Sequence, residues 1–131
     1  MIVLDTHALI WWLADPNKLS PRARRAIGTA ARDNGVAISS ISLFEIATLV
    51  RRQRLHLAID VHRWLKALLS LPQVSVEPIS TEIAWTAGGY GADVPGDPAD
   101  RIIAATAQTL GASLVTADDR LRASALVRTI W

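Results

Sequence analysis

The sequence contains no cysteine, which excludes disulfide bonds and thiolate-held zinc and is typical of a protein in a reducing compartment. It also lacks a long apolar segment. The longest uncharged stretch, residues 102–117, carries several polar side chains and is shorter than the ~20 apolar residues of a membrane-spanning helix. Residues 1–14 are apolar, but they contain Asp5 and His7 and have no basic leading segment, unlike a secretory signal. We therefore expect a cytoplasmic protein with no membrane partner.

Two further absences exclude or disfavour whole classes of phosphate chemistry. Neither a dinucleotide-binding fingerprint nor a Walker loop occurs, because the loop glycines at positions 88, 89, 91 and 96 have the wrong spacing for both. An acyl-phosphate phosphatase or a phosphate-receiver domain would carry a second acid two residues after Asp5 or a lysine after a late strand. Position 7 is histidine, and Lys18 and Lys66 are the only lysines. A phosphatase or receiver-type domain is therefore disfavoured.

The remaining composition is that of one ordinary globular domain. The chain has 131 residues, of which 50% are hydrophobic and 20% are charged, which is enough to bury a single core. We predict one domain over residues 1–131, because no linker, repeat or low-complexity segment interrupts the sequence. The formal net charge of +2 permits an anionic partner without indicating one.

Apolar, β-branched runs alternate with amphipathic segments along the chain. The predicted strands are residues 2–4, 36–39, 74–76, 113–116 and 127–130. The predicted helices cover residues 8–13, 21–33, 60–69, 81–87 and 97–110, and a helical turn is predicted from Asp119. A further helix is predicted to begin at the capping-box pair Ser42 and Glu45. Residues 88–91 are expected to form a loop. Because parallel strands need a crossover that can hold a helix, the alternation predicts an α/β sandwich with a mainly parallel central sheet.

Acidic side chains follow the predicted strands, at the edge where parallel α/β sheets bind ligands. Asp5 comes directly after the first strand, and Glu45 lies in the helix after the second. Asp100 lies in the first turn of the helix before the fourth strand, and that strand is followed by Asp118 and Asp119. Each acid could simply cap a helix or complement its dipole. Four carboxylates at one edge would, however, repel one another and raise their pKa values unless a cation neutralised them.

Carboxylate and water oxygens are the ligands that Mg²⁺ and Mn²⁺ prefer, and no clustering of histidine or cysteine favours another metal. Such an ion lowers the pKa of a bound water and neutralises charge on a scissile phosphate. The acids therefore indicate hydrolysis of a phosphodiester bond.

Four ordered motifs resemble those of the PIN-domain family across the whole chain. They are residues 2–7 (IVLDTH), 45–47 (EIA), 97–105 (DPADRIIAA) and 114–118 (LVTAD). The resemblance implies a PIN-like three-layer sandwich and, more narrowly, the short toxins of VapC type. It also implies a Mg²⁺- or Mn²⁺-dependent endoribonuclease with an RNA substrate, a cognate VapB-type antitoxin and a homodimeric assembly.

The same resemblance assigns roles to individual residues. It implies a catalytic quartet of Asp5, Glu45, Asp100 and Asp118, with Asp5, Asp100 and Asp118 as metal ligands and the hydroxyl of Thr116 beside them. Four further residues are candidates for support or for substrate contact, and these are Thr6, Asp97, Arg51 and Arg52. Asp119 could assist Asp118 or substitute for it.

Several alternatives stay open. Asp97 has the features of a simple helix cap, and the arginines at 51, 52 and 54 could either bind RNA phosphates or complement the end of a helix. His7 follows Asp5 by two residues and could touch substrate, although a histidine that opens a helix beside an apolar run is more often a packing or hydrogen-bonding residue. Because Trp11 and Trp12 are adjacent, one of them should be partly exposed, which is typical of an interface. A catalytically silent PIN-like binding protein is the alternative to an enzyme.

Overall fold

The computed structural model describes residues 1–131 and contains five strands and seven α-helices. The strands are β1 (Ile2–Leu4), β2 (Val36–Ser39), β3 (Val74–Glu77), β4 (Ser113–Val115) and β5 (Thr129–Ile130). The helices are α1 (Thr6–Ala14), α2 (Pro21–Arg32), α3 (Ser40–Arg51), α4 (Val61–Leu69), α5 (Thr81–Gly89), α6 (Pro98–Leu110) and α7 (Asp119–Ala123), and a short 3-10 helix covers Pro16–Lys18.

The strands form one sheet in the order β3-β2-β1-β4-β5. Every pair is parallel, with Leu4 opposite Ile38 on one side and opposite Val115 on the other. The prediction of a mainly parallel sheet is therefore confirmed, and the sheet has no antiparallel strand. Because β1 lies at the centre and its neighbours come from distant parts of the chain, residues that follow β1, β2 and β4 lie close together in space.

Helices cover both faces of the sheet, which gives three layers. Alternate side chains of a strand point to opposite faces, so Ile2 and Leu4 pack against one layer of helices while Val3 packs against the other. The first layer consists of α1, α2, α3 and α4, and the second contains α6 and α7, with α5 packed on α6. Both faces of the central strands are buried, which explains why their sequences are apolar without alternation.

Two local predictions were wrong. Helix α3 begins at Ser40 with Ser39 as its N-cap, so Ser42 and Glu45 do not form a capping box. Ser42 lies inside the helix, where its buried hydroxyl is hydrogen-bonded to Thr6. Residues 88 and 89, expected in a loop, form the last turn of α5. For Ser42, the contact with Thr6 outweighs the local preference of the short motif.

Smaller differences concern the ends of elements. Helix α1 begins two residues before the predicted start, because the carboxylate of Asp5 caps it by accepting a hydrogen bond from the amide of Ala8. Strand β5 is limited to Thr129–Ile130. Helix α6 ends as predicted at Gly111, whose φ of 62° is the left-handed conformation that closes a helix. None of the helices has both the length and the apolar character of a membrane span.

Candidate active site

A pocket of about 430 Å³ lies at the carboxyl ends of the three central strands. Most of the nine residues that line it are polar or acidic, and only two, Trp11 and Ala117, are hydrophobic. The other seven are Asp5, Thr6, His7, Glu45, Asp97, Asp100 and Asp118. The four acids of the predicted quartet therefore lie around one space, together with Asp97. Their roles in metal binding and catalysis are a prediction that this geometry is consistent with.

Asp5 is the most deeply buried of these acids, with 9% of its surface exposed. It follows β1 directly, and its backbone amide donates to the carbonyl of Val115 in β4 at 3.1 Å, which continues the ladder of the sheet. Its Oδ1 atom accepts a hydrogen bond of 2.8 Å from the amide of Ala8. The sheet and the helix therefore fix both the backbone and the carboxylate of Asp5.

Asp118 is held in a similar way at the end of β4. Its backbone amide donates to the hydroxyl of Thr116 at 3.1 Å, and its Oδ1 accepts hydrogen bonds from the amides of Arg120 and Leu121 at 2.9 and 3.0 Å. Thr116 itself is fully buried and does not line the pocket. The hydroxyl of Thr116 therefore contacts the backbone of Asp118 and also interacts with the carboxylate of Asp5.

Glu45 reaches the pocket from the middle of α3, and Thr6 orients it. The hydroxyl of Thr6 donates to Oε1 of Glu45 and is also hydrogen-bonded to the hydroxyl of Ser42 at 3.0 Å. Ser42 is one turn before Glu45 on α3, so both of these α3 side chains lie against the first residue of α1. This contact joins the ends of β1 and β2 through side chains.

Asp97 and Asp100 come from the start of α6. Asp97 is the N-cap, and its Oδ1 accepts a hydrogen bond of 2.8 Å from the amide of Ala99. Asp100 lies in the first turn, and its carboxylate takes no hydrogen bond from the protein. The sequence left open whether Asp97 is a simple cap or a supporting residue of the site, and the structure places it both as a cap and in the pocket wall.

Capping and ligand binding are therefore compatible in this site. In Asp5, Asp97 and Asp118 the helix cap uses Oδ1 alone. In Asp97 and Asp118 the second oxygen, Oδ2, takes no hydrogen bond from the protein. The caps hold these carboxylates in place and leave an oxygen available to another partner.

Burial and mutual repulsion make the acids harder to ionise. Burial, reinforced by repulsion from the other pocket acids, raises the pKa of Asp100 from an ordinary 3.8 to about 7. Burial also raises the pKa of Asp5, although hydrogen bonds from the Thr116 side chain and the Ala8 amide oppose it. The pKa of Glu45 is raised by burial too, against the hydrogen bond from Thr6. The pocket therefore lacks the positive charge that would neutralise these carboxylates.

The chemistry of these donors fits a hard divalent cation. Carboxylate oxygens are the preferred ligands of Mg²⁺ and Mn²⁺, and a cation would relieve the repulsion that raises the pKa of Asp100. As the side chains stand, no three acidic or histidine side chains are close enough together to hold one ion. Mg²⁺ usually retains several waters and binds through one or two carboxylates, so a set of three protein ligands around one ion is not required.

Other predicted site residues lie outside the pocket. Asp119 is 94% exposed at its side chain and pairs with Arg122 at 3.5 Å, so the structure does not bring it to the acids. Arg51 is exposed at the end of α3 and lines no pocket of notable size, whereas Arg52 lines a neighbouring groove that also includes Glu45 and Asp97.

Two aromatic residues join the acids in the pocket wall. His7 is exposed there and lies against the ring of Trp11, with 5.7 Å between the ring centres. The sequence pattern favoured a packing role for His7 over contact with substrate, and the structure places His7 in the pocket lining. Its position two residues after Asp5, in the first turn of α1, was the one available signal.

Comparisons with known proteins agree on one family. The PIN domain model matches residues 2–125. Ribonuclease VapC22 of Mycobacterium tuberculosis (strain ATCC 25618 / H37Rv) is 42% identical over 132 residues, which cover 99% of this chain and 98% of the relative.

Solved structures agree on the fold. The crystal structure of VapBC2 from Rickettsia felis, bound to a DNA fragment from its promoter, contains a chain with a TM-score of 0.73 and 20% identity, which covers 98% of this chain and 97% of its own length. A chain of FitAcB from Neisseria gonorrhoeae has a TM-score of 0.65 and 22% identity over 98% of this chain and 96% of its own. These identities support the fold alone.

The raised pKa of Asp100 predicts a pH-dependent stability of the metal-free protein. The folded state holds this proton more tightly than the unfolded state, so the contribution of Asp100 to stability falls as pH rises from about 4 to about 7. We expect Asp100→Asn to raise the free energy of unfolding only slightly at pH 5, because most of the loss occurs between pH 5 and pH 7. At pH 8 it should raise that energy by about 1–2 kcal/mol, a value reduced for solvent screening.

Urea unfolding in chelated buffer at both pH values measures this difference. Asp119→Asn, which changes an exposed acid outside the pocket, serves as the control. An Asp100→Asn effect of the same size at pH 5 and pH 8 would contradict the electrostatic origin of the shift.

Proposed function

The chain belongs to the PIN-domain family, and we propose that it is an endoribonuclease that hydrolyses RNA phosphodiester bonds with Mg²⁺ or Mn²⁺. We further propose that it acts as the toxin of a VapBC-type toxin–antitoxin pair. The family and the related ribonuclease of Mycobacterium tuberculosis support the nuclease activity. The single structural observation behind the metal mechanism is a carboxylate-lined pocket in which Asp100, with no hydrogen-bond donor, has its pKa raised to about 7.

Asp5, Asp100 and Asp118 are the proposed metal ligands. They come from three separate elements, and the caps on Asp5 and Asp118 limit the movement of their carboxylates. When bound, the divalent ion supplies a more acidic water and neutralises charge that develops on the scissile phosphate. The protein contributes by fixing Asp5 and Asp118 through their caps, while the carboxylate of Asp100 takes no hydrogen bond from the protein and can turn toward the ion.

Glu45 is the proposed proton acceptor. Its raised pKa brings it closer to the pH at which a carboxylate is an effective base, since an acceptor with a pKa near the working pH moves protons best. The hydroxyl of Thr6 occupies Oε1 of Glu45, which leaves Oε2 to take the proton of the attacking water. Thr6 is therefore assigned to orienting Glu45, and Thr116 to holding the backbone of Asp118.

Partners and location are proposed from the relatives. Among the solved structures of the same fold, one is named as a toxin–antitoxin complex from Klebsiella pneumoniae. By analogy we assign this chain a VapB-type antitoxin, a homodimeric assembly and a cytoplasmic location. Exposed apolar side chains, above all Trp85 at 83% and Phe44 at 68%, are consistent with surfaces that contact other chains.

Cleavage of a single-stranded RNA oligonucleotide tests the proposed activity. We expect cleavage with Mg²⁺ or Mn²⁺, none in excess EDTA, and no cleavage of DNA of the same sequence. Asp5→Asn and Asp100→Asn should each lower the rate by at least about 100-fold, because each removes a charged ligand.

Asp60→Asn is the matched control for these variants. Asp60 caps α4 by accepting hydrogen bonds from the amides of His62 and Arg63, but it lies outside the pocket. Asparagine retains capping ability, so the control should keep wild-type activity. Undiminished cleavage in EDTA would refute the metal mechanism, and absence of any RNA cleavage with metal present would support a silent binding protein.

Expression in a bacterial host without an antitoxin tests the toxin assignment. Wild-type protein should arrest growth, whereas Asp100→Asn at the same soluble level should not. Normal growth despite soluble protein that cleaves RNA in vitro would contradict the toxin role and leave the nuclease assignment intact.

A further inference from the structure

The C-terminal end of α5 lacks the usual backbone closure of a helix. The last carbonyls of a helix have no partners within it, and a left-handed residue commonly closes the end so that following amides reach them. In α5 the residue after the helix is Tyr90, which is extended with φ −61° and ψ 142°. The carbonyls at this end therefore need donors from elsewhere in the protein.

Arg101 supplies those donors. Its Nε atom donates to the carbonyl of Ala87 at 3.0 Å, and its Nη2 atom donates to the carbonyl of Tyr90. Its Nη1 atom lies 3.5 Å from the carbonyls of both Val94 and Pro95. One guanidinium thus contacts four backbone carbonyls, one in the last turn of α5 and three in the segment between α5 and α6.

No acid neutralises this cation. Arg101 is partly buried, and the two ion pairs of the structure, Lys18–Asp15 and Arg122–Asp119, both lie elsewhere. The guanidinium also lies 6.0 Å from the centre of the Tyr90 ring. Its charge is therefore balanced by carbonyl dipoles and an aromatic face, and its interactions are directed at the backbone of one segment.

That segment leads directly into the pocket. It ends at Asp97, which caps α6 and lines the pocket, and Arg101 follows Asp100 in the same helix. We propose that Arg101 is a positioning residue, whose contacts with residues 87–95 fix the start of α6 and thereby hold Asp97 and Asp100 at the pocket. This role in catalysis rests on the nuclease function proposed above.

A lysine cannot replace this arrangement. A guanidinium has five donors in a planar fork, whereas a single ammonium at the end of a flexible chain cannot serve carbonyls of α5 and of the segment at once. Arg101→Lys keeps the charge and removes the geometry. It therefore separates positioning from a general electrostatic effect.

Arg128→Lys is the matched control. Arg128 also donates from Nη2 to a carbonyl at a helix end, that of Gly111 after α6, at 3.0 Å. It is exposed and lies away from the pocket. Both substitutions thus remove an arginine contact with a helix end, and only one of them concerns the segment that leads to the acids.

Hydrogen exchange of the metal-free protein, followed by mass spectrometry, tests the contact itself. Arg101→Lys should raise the exchange rate of peptides covering residues 88–97 by about 10-fold or more, while the exchange rates of the five strands stay unchanged. Arg128→Lys should leave these peptides at wild-type rates. Unchanged exchange over residues 88–97 in Arg101→Lys would overturn the proposal. If this variant does not fold, Arg101→Gln, which retains two donors without charge, is measured instead.

Metal affinity and kinetics test the consequence for the pocket. In folded Arg101→Lys, the affinity for Mn²⁺ and kcat should each fall by about 10- to 100-fold while KM stays within about 2-fold of wild type. Faster exchange with unchanged Mn²⁺ affinity and kcat would show a purely structural contact and overturn positioning. A wild-type protein that binds Mn²⁺ without cleaving RNA would instead refute the nuclease function, and the exchange and affinity comparisons would still decide the role of Arg101.

Discussion

The repulsion among carboxylates at the end of the parallel sheet is the constraint on which the site depends. Five acids line one pocket, and the pKa of Asp100 rises to about 7 because burial and its acidic neighbours disfavour its charge. Left to themselves, such side chains would turn apart into solvent. Helix caps prevent this for three of them, since one oxygen of each is bound to backbone amides. The fold thus holds together charges that need a cation.

The elements around the pocket are joined by polar contacts that the hydrophobic core alone would not supply. Thr6 joins the start of α1 to Glu45 and Ser42 on α3. Arg101 joins the end of α5 to the segment before α6. Thr6 and Ser42 are buried, and Glu45 and Arg101 are partly buried, so these contacts are largely shielded from water.

Much of the architecture could be predicted from local patterns, because short β-branched runs followed by acids mark the ends of buried parallel strands. The same logic predicted that Asp5 and Asp118 would meet at one edge. Contacts between distant residues could not be predicted in this way. Ser42 fitted a capping box by spacing, yet its hydroxyl bonds to Thr6, 36 residues away. The contacts of Arg101 depend on how the chain leaves α5, for which no residue pattern exists.

Proton release on metal binding is the measurement that tests the central claim most directly. Mn²⁺ is titrated calorimetrically into the metal-free protein in buffers with different ionisation enthalpies. Because the pKa of Asp100 is raised to about 7, binding at pH 6 should release roughly one proton per ion, and at pH 8.5 the release should approach zero. Absence of binding, or binding with the same proton release at both pH values, would contradict a cluster of acids that is neutralised by a cation.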